Sequence, residues 1–138
     1  MIMTVFVCID DRGGMMFNKR RQSRDSRVIE DIVRTVDDGV LYISDFSEIL
    51  FEESDASVIS VPDPLCSAGN DAFVFIENLH LGEHLDKIDR LIIYKWNRKY
   101  PYDFAIDIDP TTAGYKRRSV REFVGTSHDK ITREDYVR

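Results

Sequence analysis

The chain has 138 residues, 43% of them hydrophobic and 32% charged, enough to bury the core of one domain spanning residues 1–138. An aromatic content of 11%, with seven glycines and four prolines, excludes a disordered or collagen-like chain. The net charge of −6 weighs against nucleic-acid binding through bulk charge, leaving room only for a local basic patch.

The first apolar run, Met1-Ile2-Met3-Thr4-Val5-Phe6-Val7-Cys8-Ile9, follows no basic segment and is too short to cross a membrane, so it reads as a buried strand. A cytoplasmic protein without a membrane partner is the expectation. Cys8 and Cys66 lack Cys-x-x-Cys spacing and read as free thiols, Cys66 in a Pro-rich loop. Asp11-Arg12-Gly13-Gly14 is a turn, and residues 18–27 form a polar, basic loop. A helix then starts at Ser26 as N-cap, sets Val28, Ile29, Ile32 and Val33 on one face, and stops at Asp37-Asp38-Gly39.

Val40-Leu41-Tyr42-Ile43 is a short buried strand, followed by a helix from Asp45 or Ser47 to Phe51. Ser57-Val58-Ile59-Ser60-Val61 is a third strand, stopped by Pro62 and Pro64, and Ala72-Phe73-Val74-Phe75-Ile76 a fourth. A short helix over residues 79–87 leads into Leu91-Ile92-Ile93-Tyr94. Alternating strands and helices predict an α/β fold with a mainly parallel central sheet covered on both faces. Residues 103–109 alternate Phe104, Ile106 and Ile108 with aspartates, as an edge strand does. Residues 115–124 and 131–137 predict an antiparallel C-terminal hairpin around Gly125-Thr126-Ser127. Thr132-Arg133-Glu134-Asp135 also has the spacing of a capping box, which leaves helix open for the last segment.

This order resembles the dihydrofolate reductase-like fold along nearly the whole chain. Asp10-Asp11-Arg12-Gly13-Gly14-Met15 is similar to the family's entry into its active-site loop, and the stretch from Asp86-Lys87-Ile88-Asp89-Arg90-Leu91 to Ser127-His128 to its late strands and final hairpin. The resemblance implies a three-layer fold and, near the start of the first helix, an acidic residue that protonates substrate, matched by Asp25. It also implies NADPH phosphate sites at Ser44-Asp45-Phe46-Ser47 and Ile76-Glu77-Asn78. There the family's Gly-Arg-x-Thr turn and paired glycines are replaced, and two carboxylates would face phosphate. The expectation is a diverged, non-reductase member with no cofactor, NADPH included. Asp25, between Arg24 and Arg27, is expected to stay ionised.

Asn18-Lys19-Arg20-Arg21-Gln22-Ser23-Arg24 carries four cations just before a helix, a composition that suits phosphate or carboxylate. Asn18, Lys19, Arg20, Arg21 and Arg24 are therefore candidate ligands for a small anion or nucleotide. Trp96 and Arg98, in the run Tyr94-Lys95-Trp96-Asn97-Arg98-Lys99-Tyr100, are candidates for stacking a base and holding its phosphate. A solvated loop and a core-capping tryptophan explain the two runs as well. The alternatives are a reductase or hydrolase using Asp25 or His128 as acid or base, and a protein-interaction module using the Trp96 hairpin or an open sheet edge. His80-Leu81-Gly82-Glu83-His84 has inverted-zincin spacing, but Gly82 and the lack of an evident third ligand favour an exposed helix start, so no metal is expected. Asp103, Asp107 and Asp109 could gather Mg2+ or serve as charged edge residues.

Overall fold

Apolar and β-branched residues fill Thr4–Ile9 (β1), and the computed structural model, which describes residues 3–138, sets this strand at the centre of a seven-stranded sheet. Alternate side chains enter opposite cores. Val5, Val7 and Ile9 join Met15, Leu65, Leu81 and Ile88 on one face, while Phe6 meets Val28, Ile32, Leu41 and Tyr94 on the other.

The remaining elements are β2 (Gly14–Phe17), β3 (Arg20–Arg21), α1 (Ser26–Val36), β4 (Val40–Ile43), α2 (Glu48–Phe51), β5 (Ser57–Ser60), α3 (Pro64–Ser67) and β6 (Phe73–Phe75), then β7 (Arg90–Lys95), β8 (Phe104–Ala105), β9 (Lys116–Phe123) and β10 (Ile131–Val137). The large sheet runs β5-β4-β6-β1-β7-β10-β9. Its β5 to β7 portion is parallel, and β10 and β9 are antiparallel, as expected for the C-terminal hairpin. A second sheet, β3-β2-β8, lies apart from it.

Five local readings change. The basic loop is a hairpin, because Asn18 and Lys19 adopt φ of 52° and 62° as the two-residue turn between β2 and β3. The N-cap of α1 is Asp25 rather than Ser26, its carboxylate accepting from the Arg27 N–H at 2.9 Å. The helix expected over 79–87 is a 3-10 segment at Gly82–Lys87, entered where Asp107 binds the N–H groups of Leu81 and Gly82 at 2.8 and 2.9 Å. The strand expected over 103–109 pairs only at Phe104–Ala105. Cys66 lies on α3, and both Cys8 and Cys66 are free. Among the described residues no helix is long and apolar enough to cross a membrane.

The last segment is strand, although Arg133, Glu134 and Asp135 are each under 10% exposed. Cross-strand and helix partners explain this. Arg133 donates to Asp31 of α1 at 2.7 Å and to Asp135 at 2.8 Å, while Lys95 and Arg117 reach Glu134 at 3.1 and 3.3 Å. Asp31 also accepts from the Tyr94 hydroxyl at 2.6 Å and from Arg121, so α1 is tied to β7, β9 and β10 through one carboxylate. Burial works to raise the Asp31 pKa, but these donors outweigh it and lower it. Removing one partner of a buried ion pair strands the other. Asp31→Ala is expected to lose about 3–5 kcal/mol in urea unfolding. Arg27→Ala, whose pair with Glu30 spans 3.9 Å at 60% exposure on both sides, should stay within about 0.5 kcal/mol of wild type.

Candidate functional site

Because the central strands are parallel, the residues following them gather at one edge: Asp10 after β1, Ser44 after β4, Ile76 and Glu77 after β6, Trp96 after β7. Open α/β sheets bind ligands at this edge. A small cavity there, of about 20 Å³ and wide enough for one water, is lined by Cys8, Gln22, Ser23, Asp25, Glu77 and Trp96 among others. Arg24, Asp25, Ile29 and Leu50 also line an adjoining groove of about 590 Å³ between α1 and residues 49–55.

Asp25 is 3% exposed and accepts hydrogen bonds from the N–H groups of Arg27, Thr126 and Ser127, from Thr126 Oγ1, and from His128 Nδ1 at 2.9 Å. Burial would raise its pKa, but the His128 bond and the backbone donors prevail and hold it at about 2. The charged neighbours Arg24 and Arg27 are not what keeps Asp25 ionised. Arg27 turns to Glu30, and the β9–β10 loop supplies the donors instead. Gly125 is required in that loop, since a Cβ there would collide with the Asp25 carboxylate.

With Nδ1–H committed to Asp25, the network assigns Nε2 of His128 as the acceptor. Nε2 faces the Ser23 hydroxyl at 3.1 Å and the Tyr100 hydroxyl at 3.0 Å. Trp96 stacks on the imidazole with centroids 4.6 Å apart, which buries both rings and fixes the plane of the histidine.

Asp10 organises the approach to this group. Its carboxylate accepts from the N–H groups of Arg12, Gly14 and Tyr100 at 2.8–3.0 Å and from Gln22 Nε2 at 3.2 Å, lowering its pKa against the opposing effect of burial. Gln22 Oε1 is buried without a hydrogen-bond partner among the described residues. An unsatisfied buried acceptor beside a cavity favours a donor from ligand or water.

Across the cavity Arg21 binds Glu77 through Nε at 2.7 Å and Nη2 at 3.0 Å, donates to the Phe46 carbonyl at 2.8 Å and lies over the Phe46 ring. Ser47 Oγ donates to the same Glu77 carboxylate at 2.6 Å. The hairpin is thus pinned to the ends of β4 and β6.

The basic run is dispersed by this arrangement. Arg21 is engaged internally, Arg20 is exposed on the neighbouring strand position, Asn18 and Lys19 form the hairpin tip, and Arg24 reaches the cavity and groove. Trp96 is packed against His128, and Arg98 lines a separate surface hollow. Asp103, Asp107 and Asp109 cap different backbone segments, accepting from the N–H groups of Asn18, Leu81 and Thr111 respectively. Of the sequence candidates, Arg21, Arg24, Asp25, Trp96 and His128 meet around the cavity, with Glu77, which the resemblance marks as a carboxylate at a phosphate position. Ser23, Tyr100 and Gln22 join them without having been candidates.

No family model and no curated protein matches the sequence. Among solved structures, dihydrofolate reductase from Enterococcus faecalis complexed with NADP(H) and RAB-propyl is similar, with a TM-score of 0.69 over 99% of this chain and 96% of that one, at 10% identity. The fold is that of dihydrofolate reductase. On the dihydrofolate reductase-like fold, the turn after β4 and the end of β6 are the positions that carry Asp45 and the paired Glu77 here.

The Asp25 geometry predicts an acid-sensitive contribution to stability. Its carboxyl titrates near 3.9 when unfolded and at about 2 when folded, so the contribution is full above about pH 4 and is lost as pH falls toward about 2. The gap in urea midpoint between wild type and Asp25→Asn should therefore narrow over that window.

Proposed function

We propose that this chain is a serine-dependent hydrolase of small anionic esters, with Ser23 as nucleophile, His128 as general base and Asp25 as the residue that orients the imidazole. The carrying observation is the continuous chain Ser23 Oγ, His128 Nε2, His128 Nδ1, Asp25 Oδ2, with links of 3.1 and 2.9 Å at the cavity wall. Roles follow from geometry rather than from order in the chain. Ser23 Oγ bonds to the ester carbonyl carbon as its proton passes to Nε2. The C–O bond to the leaving alcohol breaks, and that oxygen takes the proton from Nε2. Water then repeats the sequence, releasing the acid and restoring Ser23.

An ionised Asp25 suits this role, since it stabilises the imidazolium formed on His128. It does not suit proton donation to a substrate. Cys8, also on the cavity wall, is a poor nucleophile: burial pushes its thiol well above the ordinary value, and the Glu77 and Asp25 charges add to the effect. Tyr100 competes with Ser23 for the single Nε2 lone pair, so the proton transfer from Ser23 requires the Tyr100 hydroxyl to point its own proton elsewhere. Arg24, with no ion-pair partner among the described residues, stands where the cavity meets the larger groove and supplies the preference for an anionic substrate end.

The residues present do not fit NADPH held by its phosphates at the turn after β4 and the end of β6. Asp45 and the Arg21–Glu77 pair occupy these places, and the pair would have to open against its own hydrogen bonds. NADPH is expected to leave the Tm unchanged, whereas a ligand at a hundredfold excess over its Kd adds about 2.7 kcal/mol.

A fluorophosphonate probe and a panel of p-nitrophenyl esters, including the hemisuccinate, test the hydrolase reading. Wild type should be labelled at Ser23, and Ser23→Ala and His128→Ala should lose turnover by about 10³-fold or more. Unlabelled wild-type protein that is inert on every ester would sink the proposal.

A further inference from the structure

Away from the cavity, three donors of different chemistry converge on the face of the sheet that carries α3. Asp63 and Cys66 are three residues apart, and the α3 turn folds them together. Asp63 is its N-cap, its Oδ1 accepting from the Cys66 N–H at 3.3 Å, and its carbonyl accepts from the N–H groups of Cys66 and Ser67 at 3.2 and 3.0 Å. His84 arrives from the 3-10 segment at Gly82–Lys87. That turn is fixed by the His84 N–H bond to the Leu81 carbonyl at 2.9 Å and by Asp107 on the N–H groups of Leu81 and Gly82. One carboxylate oxygen, the thiol sulfur and one imidazole nitrogen all lie within 4.8 Å of one another.

We infer that Asp63, Cys66 and His84 form a zinc-binding site that clasps the β5–β6 crossover to the β6–β7 crossover. Zinc takes carboxylate, thiolate and imidazole together at bond lengths of about 2.0–2.3 Å, so tetrahedral ligands sit about 3.3–3.8 Å apart. The observed spread is within about 1 Å of that, and the side chains are free to adjust because Cys66 is exposed and Asp63 and His84 are half-buried. The sulfur selects against magnesium and calcium, which take oxygen ligands. Three protein ligands leave a fourth position for water, and Asp63 and His84 border a surface hollow together with His80 and Glu83. His80 itself stacks on Phe104 with centroids 4.3 Å apart, so the zinc partner of His84 is the Asp63–Cys66 turn and not the neighbouring histidine of the His-x-x-Glu-His run. This site is independent of the Ser23 reading.

Titration of the metal-free full-length chain with Co2+ tests the inference, since a Cys–cobalt bond has its own charge-transfer absorption. One equivalent should produce that band, and Zn2+ should displace it and raise the Tm. Cys66→Ser should abolish the band, and His84→Ala and Asp63→Asn should each weaken Co2+ at least tenfold. Asn keeps the N-cap, so Asp63→Asn preserves the α3 turn. His80→Ala should bind as wild type does. Absence of the charge-transfer band in folded wild type, its survival in Cys66→Ser, or equal affinity in Asp63→Asn and wild type would each overturn the site.

Discussion

The carboxylate of Asp25 holds the C-terminal edge of the parallel strands, α1 and the β9–β10 loop together. It satisfies the start of α1, gathers three consecutive residues of the β9–β10 loop, and fixes the imidazole of His128, all through five hydrogen bonds to one buried group. A buried charge with so many donors is stable as an anion and costly to protonate or displace. The histidine is consequently presented with its free nitrogen outward from α1, toward Ser23 and Tyr100. Neither the loop nor the helix start could hold that position alone.

A second carboxylate, Asp31, does comparable work one turn and a half further along α1. It accepts from Tyr94, Arg121 and Arg133, which explains how the penultimate strand of the sheet can bury Arg133, whose guanidinium in turn satisfies Asp135. The two faces of α1 therefore have different partners. Val28, Ile32 and Val36 enter the apolar core, while Asp25 and Asp31 are anchored to the C-terminal hairpin. The native position of α1 and that of the hairpin are therefore fixed by the same set of hydrogen bonds.

The parallel strands and α1 were legible because each has an apolar period that does not depend on distant residues. The β9–β10 pairing was legible only in part, since the Gly125 turn suggests a hairpin while the capping-box spacing of Thr132-Arg133-Glu134-Asp135 left helix open for its second strand. The small sheet was not. The left-handed Asn18-Lys19 turn sits within a run of charges that also describes a loop, and the alternation over 103–109 gives no sign that pairing stops after Phe104–Ala105 while Asp107 turns to the Leu81 and Gly82 N–H groups. The site was legible in part. Asp25 and His128 stand out as residue types, but their contact spans 103 positions, and Ser23 gains meaning only from that contact. The partner of Arg21 was hidden for the same reason, since it is Glu77, 56 positions away.

The Arg21–Glu77 pair shows how a shared fold can carry a different electrostatic design. In the parallel sheet the C-terminal edge offers N–H donors and helix starts, a setting that favours anions. This chain supplies the anion itself, as Glu77, and saturates it with a bidentate guanidinium and the Ser47 hydroxyl. The same interaction anchors the β2–β3 hairpin over the cavity, which closes the space to about the size of one water and leaves the groove beside α1 as the wider approach. Of the cations in the basic run, Arg24 lines both the cavity and the groove, whereas Arg21 lines the cavity alone and is held by Glu77.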